Sequence, residues 1–234
     1  MRRLLTSLAA VAAIVLLTAT QASAAGPGFY LVNGPSPGTF QVLRTGNLVH
    51  GTVDDAVFGL STSGAGLMRL PFPIHAWNQT YQRAVISSNG TVQLGLTAGQ
   101  ANPVFQNDCL PSPSFGNPAV LPYWDDLIFF PGTTVAGAPD GIFVRTAGAA
   151  PHRTFLVSWQ GQENLPDTPP VLAQVLFREG SQTVTFRYGT TGGGSATIGI
   201  QSKQQLAARQ LSCNSGTDAV GAGTQTTLVH TNAL

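Results

Sequence analysis

The sequence predicts an all-β fold: an antiparallel β-sandwich with long connecting loops, one disulfide and little helix. Three observations carry that expectation. Charged residues make up only 9% of the chain while Gly and Pro number 27 and 16, a composition of short strands joined by tight turns. Several segments alternate apolar and polar residues with a period of two. The dipeptide Asn89-Gly90 lies between two such segments and is a strong hairpin signal.

The hairpin is the centre of the pattern. A two-residue type I′ loop at Asn89-Gly90 would set Ser88 opposite Thr91, Ser87 opposite Val92, Val85 opposite Leu94 and Arg83 opposite Leu96. Val85, Val92 and Leu94 would then share one face, with Ala84 and Ile86 on the other. Two apolar faces place a hairpin inside a sheet rather than at its rim. A buried strand over residues 67–74 is expected to lead into it.

Upstream, Met1-Arg2-Arg3, the apolar run Leu4 to Leu17 and then Ala22-Ser23-Ala24 have the three parts of a secretory signal peptide, so residues 1–24 are expected to be removed. The competing reading, a membrane anchor, meets a run short of the ~20 residues a bilayer span needs, and no span is expected after cleavage. Without Arg2 and Arg3, nine basic residues stand against ten acidic ones, which implies no nucleic-acid partner. Arginine outnumbers lysine ten to one, the codon signature of a GC-rich bacterial genome. In an exported chain, Cys109 and Cys213 are expected to form one disulfide tying the middle to the end. The alternative, a reactive thiol, lacks a neighbouring His or Lys.

In chain order, residues 25–50 read as an N-terminal leader with extra strands at Phe29–Val32 and Phe40–Leu43 around a turn-rich loop. The main module spans 51–213. Within it, 97–116 is rich in Asn, Pro, Ser and Gly and reads as a long surface connection. An apolar strand ends in Tyr123-Trp124-Asp125-Asp126, and Pro122 marks an edge, a bulge or a strand end. A meander follows: 142–146, 154–159, 171–177 and 183–188, where Phe155, Val157 and Trp159, and then Val184, Phe186 and Tyr188, line inner faces. Ala196, Ile198 and Ile200 continue it. Residues 204–211 alone resemble a helix. The tail, 214–234, holds a candidate last strand at 226–230.

No catalytic residues are predicted. Asp125 and Asp126 are the most tempting pair, yet neighbours on an extended strand point to opposite faces and cannot flank one bond unless the backbone turns there. Their plainer role is to accept hydrogen bonds at a strand end, and a calcium site lacks the spaced Asp/Asn/Asp loop. His50, His75, His152 and His230 are scattered without metal-ligand spacing, so no metal and no cofactor is expected. No serine sits in a nucleophile elbow, and Gly192-Gly193-Gly194-Ser195 lacks the lysine of a phosphate loop. Among the aromatics, Trp77 beside Asn78-Gln79-Thr80 is the one expected to be partly exposed, as a ligand or structural polar site.

Read together, Leu70-Pro71-Phe72-Pro73-Ile74, Tyr81, Val85 to Gly95, Cys109-Leu110-Pro111, Ala119 to Asp126, Gly141-Ile142-Phe143, Phe155 to Trp159, Val184 to Gly189 and Ala196 to Gln201 resemble, in order, the nidogen-like extracellular module in the form found in secreted bacterial proteins. The resemblance covers 51–213. It implies a β-sheet module of adhesion and matrix proteins with no activity of its own. The departures are Ile74, Ala76 and Asn78, where the family usually shows Phe, Phe and Gly; Asn tolerates a left-handed backbone, so the turn is expected to survive. The functional expectation is a secreted or cell-surface, non-catalytic binding module whose partner is an extracellular protein or glycan, met by loops at 97–116, 129–140 and 160–170. The alternatives are an extracellular hydrolase of glycan or peptide using Asp125 or Asp126, and a structural, self-associating envelope protein.

Overall fold

Apolar residues at every second position turn one face of each strand inward, and two antiparallel sheets bury those faces against each other. The computed structural model describes residues 28–164, 169–215 and 220–231. The expected signal peptide, and residues 165–168 of the loop expected at 160–170, lie outside the described residues. The chain opens with β1 (Phe29–Pro37), β2 (Val57–Ser61), β3 (Ile74–Ala76), β4 (Gln79–Tyr81), β5 (Arg83–Ser87) and β6 (Thr91–Leu94). It continues through β7 (Ala119–Trp124), β8 (Leu127–Ile128), β9 (Thr134–Val135), β10 (Ala138–Pro139) and β11 (Gly141–Ala147). It ends in β12 (Thr154–Glu163), β13 (Pro170–Arg178), β14 (Val184–Thr190), β15 (Thr197–Gln201), β16 (Ala208–Cys213) and β17 (Thr224–Thr231).

One sheet runs β1-β17-β14-β13-β12-β11, with β8 pairing beside the end of β12; the other runs β16-β15-β7-β6-β5-β2. The small hairpins β3-β4 and β9-β10 stand apart. The meander holds as read: Phe155, Val157, Trp159, Val184, Phe186, Tyr188, Ile198 and Ile200 are all in the core between the sheets. Residues 29–37, in the segment set apart as a leader, form an edge strand on β17. Pro122 lies where the three residues of β15 from Thr197 to Gly199 span the four from Leu121 to Trp124, a bulge in an interior strand.

The central hairpin differs by one residue. Ser87 pairs with Thr91 and Ile86 with Val92, so the loop is Ser88-Asn89-Gly90. Only Gly90 has a positive φ there, +70°, the arrangement of a three-residue loop. Such a shift exchanges the faces of β5 relative to β6: Ala84 and Ile86 join Val92 and Leu94 in the core, while Val85 turns outward with Gln93. Gly90 is required for a second reason, since a Cβ there would lie 1.6 Å from the Tyr123 carbonyl oxygen. Two further expectations also change. Residues 66–68 form a 3-10 turn, Arg69 makes a single bridge to Ser61, and the chain then buries Leu70, Phe72 and Ile74, of which only Ile74 lies in a strand. Residues 203–205 form a single 3-10 turn and 208–213 become β16, so 204–211 is not a helix.

Each sheet carries a strap on its outer face, and buried glutamines hold both. Residues 40–43, read as a strand, cross the seven-stranded sheet instead. The Gln174 amide accepts from the Gln41 N–H at 3.1 Å and donates to the Gln41 carbonyl at 2.6 Å. Gln160 does the same for Leu43 at 2.8 and 2.9 Å, and Leu43 packs on Phe143, Leu156 and Leu176. On the other sheet Gln201 accepts from Ser112 N–H at 2.8 Å and donates to its carbonyl at 3.0 Å, while Phe115 packs on Trp124. These amides do for an irregular segment what a neighbouring strand does for a regular one.

The Cys109–Cys213 disulfide fastens the second strap to β16, closing a separation of 104 residues. A loop of that length is worth up to ~4.7 kcal/mol in the chain-entropy account, less any native distortion. Replacing both cysteines with serine is therefore expected to lower the urea-unfolding free energy by about 2–4 kcal/mol. An unchanged midpoint would mean the strap is held without the bond.

Candidate functional site

The chain crosses between the sheets at two adjacent corners, and each corner is a pair of aspartates. Asp125-Asp126 joins β7 in one sheet to β8 in the other. Asp54-Asp55 follows Val53, which bridges to Phe129, and leads into β2. The backbone turns at both, so the strand rule that separated Asp125 from Asp126 does not decide their surroundings. Asp54, Asp55 and Asp126 come together, with one oxygen from each within 4.8 Å of the others. That spacing is within reach of a hard divalent cation, and amide donors already serve it. The Asn164 amide donates to Asp54 at 3.3 Å and to Asp126 at 3.4 Å.

Asn89 holds the second corner to the first. Its side chain is fully buried; its amide NH2 donates to Asp55 at 2.7 Å and to the Pro103 carbonyl at 3.3 Å. Its amide oxygen accepts from the Leu127 N–H at 3.1 Å, and its own N–H donates to Ser87 Oγ. One side chain thus joins the hairpin, the second strap and both corners. The residue that marked the turn in the sequence is needed for its amide rather than for a positive φ.

Asp125 faces a different group. It accepts from Ser195 Oγ at 2.5 Å and from the Asp126 N–H at 2.9 Å. Nearby, Glu163 is buried and accepts from Tyr123 OH and from the Gly193 N–H, each at 2.8 Å. Burial pushes the Asp125 carboxyl above its ordinary range, the Ser195 and Asp126 bonds oppose that, and the Glu163 charge adds to it. Burial is also the main cause for Asp126, followed by the opposing Asn164 bond and the charges of Asp54, Asp55 and Asp125. Asp54 is raised by burial and by Asp55. Among the described residues the one ion pair is Arg153–Glu179, so none of these carboxylates has a cationic partner there. Asp54, Asp55, Asn164 and Glu163 had no signal in the sequence beyond being polar beside apolar runs.

Trp77 is 4% exposed, so the partly exposed ring expected from its polar neighbours is not found. It sits with Asn78 at a two-residue loop between β3 and β4, at φ +52° and +59°. Asn78 bears out the tolerance expected of it; for a tryptophan the same backbone is costly, on the order of 1–2 kcal/mol. The ring is held edge-on to Tyr30 at 4.7 Å and to His230 at 6.1 Å. Gln182 accepts from the Asn78 N–H at 2.7 Å and donates to its side-chain oxygen at 3.0 Å. This turn walls a cleft of about 460 Å³ that Tyr81, Gln79, Asn117, Lys203 and the exposed Leu206 also line.

Fold and site together define a disulfide-tied, antiparallel β-sandwich module whose sheet corners are built on aspartates and side-chain amides. A family model described as NIDO related matches residues 32–233, and the chain belongs to that family. Comparison with curated proteins and with solved structures gave no match. No helix among the described residues is long and apolar enough to cross a membrane.

Two outcomes follow from these environments. Asn89→Ala leaves two buried backbone groups and a carboxylate without their partner, and is expected to cost about 3 kcal/mol or more in urea unfolding; a loss below about 1 kcal/mol would remove Asn89 from the centre of the corners. Asp140 is 3% exposed beside Thr133, and burial pushes its carboxyl up to about 6 against weaker opposing bonds from Phe130 and Thr133. A carboxyl raised on folding favours the folded state below its unfolded value of 3.8, and that contribution is lost as pH rises through about 6. Asp140→Asn is expected to add roughly 1–3 kcal/mol at neutral pH and to flatten the stability profile between those values, as followed by thermal melts. Equal neutral-pH melting of the two proteins would refute the assignment.

Proposed function

We propose that the chain is a secreted, non-catalytic binding module of nidogen-like type that meets an extracellular glycan or protein through the cleft beside Trp77. The observation that carries this is the Trp77-Asn78 turn. A tryptophan kept at positive φ is a strained arrangement, retained because the surrounding rings and Gln182 over-determine it. What the strain produces is a fixed wall, and the rest of the lining is binding chemistry: amides at Asn78, Gln79 and Asn117, the ring of Tyr81, an ammonium at Lys203 and aliphatic Leu206. Burial raises the Tyr81 phenol, which therefore stays protonated and able to donate across the physiological range. Secretion is supported by the family and by the disulfide.

The hydrolase alternative assigns work to Asp125 or Asp126, whose oxygens are engaged by Ser195, the Asp126 N–H and Asn164. A glycan array probed with the folded protein separates the readings. Tyr81→Ala and Asn117→Ala are expected to lower retention about tenfold each, while Asp126→Asn binds as the parent does. Release of reducing sugar or of peptide fragments by the parent, lost in Asp126→Asn, would overturn the module reading.

A further inference from the structure

The outer face of the seven-stranded sheet carries three arginines with no carboxylate among the described residues to answer them. The register places them. Arg187 on β14 stands in a row with Gln174 and Gln225; Arg145 on β11 begins the next row, through Leu156, Leu176 and Thr185; Arg178 on β13 lies two residues beyond Leu176. With ~3.4 Å per residue and ~4.8 Å between strands, their Cα atoms form a triangle with sides of roughly 12–16 Å. Arg145 donates to the Gln41 side-chain oxygen and Arg178 to Thr185 Oγ1. No hydrogen bond among the described residues uses the Arg187 guanidinium, and its Nε is buried without an acceptor. Burial, and then the nearby charges of Arg178 and Arg145, lower its proton affinity, which marks the three groups as close enough to repel. Arg187 also lines a cleft of about 380 Å³ between the strap and β17, with Gly38, Thr39, Gln41, Gly223 and Gln225.

We infer that this arginine face binds an acidic polysaccharide, a chain whose sugar rings bear carboxylate or sulfate groups. Guanidinium forks match such oxyanions two bonds at a time, and like charges left together gain most from an anion supplied from outside. The neutral lining of the Arg187 cleft, hydroxyl and amide groups from Thr39, Gln41 and Gln225, suits ring hydroxyls beside the anion. The spread of the three charges calls for several anionic groups on one polymer rather than a single small ion. Arg178 and Arg187 lie on the interior strands β13 and β14, so the cluster spreads over the sheet face, where an extended peptide has no free backbone edge to pair with. The site lies apart from the Tyr81 cleft, and it rests on the binding-module reading in that the polymer is held and not cleaved.

The test uses the full folded chain over immobilised heparin, polygalacturonate and neutral dextran by surface plasmon resonance, at low and high salt. Binding to one or both acidic polymers, weakened by salt and absent on dextran, is expected, and which polymer binds tells sulfate from carboxylate. Arg187→Gln and Arg145→Gln are each expected to weaken it about tenfold and the triple Arg145/Arg178/Arg187→Gln to abolish it, with Arg209→Gln on the other sheet unchanged. Arg145 is exposed, so its variant reads the site without disturbing the fold. Equal binding to dextran, or a triple variant that is folded by circular dichroism and binds as the parent does, overturns the proposal while leaving the Tyr81 cleft untouched. Light scattering in which Arg187→Gln turns a dimer into a monomer also overturns it, since a second copy would then cover the face. Cleavage of the bound polymer would instead overturn the module reading.

Discussion

A segment without secondary structure that is laid over a sheet brings backbone N–H and C=O groups into a buried place, and each needs a partner. Here the partners are side-chain amides. Gln174 and Gln160 each accept and donate across the same residue of one strap, and Gln201 does so for the other. Gln182 repeats the device at the Trp77-Asn78 turn, and Asn89 extends it to the two sheet corners. Without these amides neither outer face could be roofed by irregular chain, and Phe115, Leu43 and Trp124 would lose their cover. A fold with so few charges secures its surface layers by neutral, directional bonds.

This constraint explains what was legible in the sequence and what was not. Strands whose apolar alternation faced a single core were readable, since Phe155, Val157 and Trp159 or Val184, Phe186 and Tyr188 have no other way to be buried. The disulfide followed from two cysteines in a chain read as exported. The Ser88-Asn89-Gly90 loop is one residue longer than its sequence suggests because Asn89 carries two signals, one for a turn and one for a buried amide, and the second governs. Residues 40–43 alternate as a strand would, but a strap lying on a sheet meets the same alternation of inside and outside. Glutamine at the outward positions of β12, β13 and β15 was the available hint that something other than solvent covered those faces.

The candidate sites were harder to read because they join residues distant in the chain. Asp125 and Asp126 stood out as neighbours, yet the group that Asp126 joins is made with Asp54 and Asp55, some seventy positions earlier. Their contact depends on the two crossings lying side by side, which no local pattern encodes. Arg145, Arg178 and Arg187 sit on three strands, and only the register brings them together. Trp77 stands out in the sequence for its polar neighbours; its strained backbone and buried ring come with packing against Tyr30 and His230, at the far ends of the described chain.

β17 has a position in the sheet that its place in the chain does not suggest. It is the last strand described and it lies between β1 and β14, so the first strand has no seat in the sheet until the last has arrived. Until β17 is in place, β14 presents a bare flank and β1 leaves its apolar Tyr30 wet. Closure of the sheet is thus a long-range event that waits on β17, and a premature stop ahead of β17 would leave a sticky, half-built layer rather than a smaller sound one.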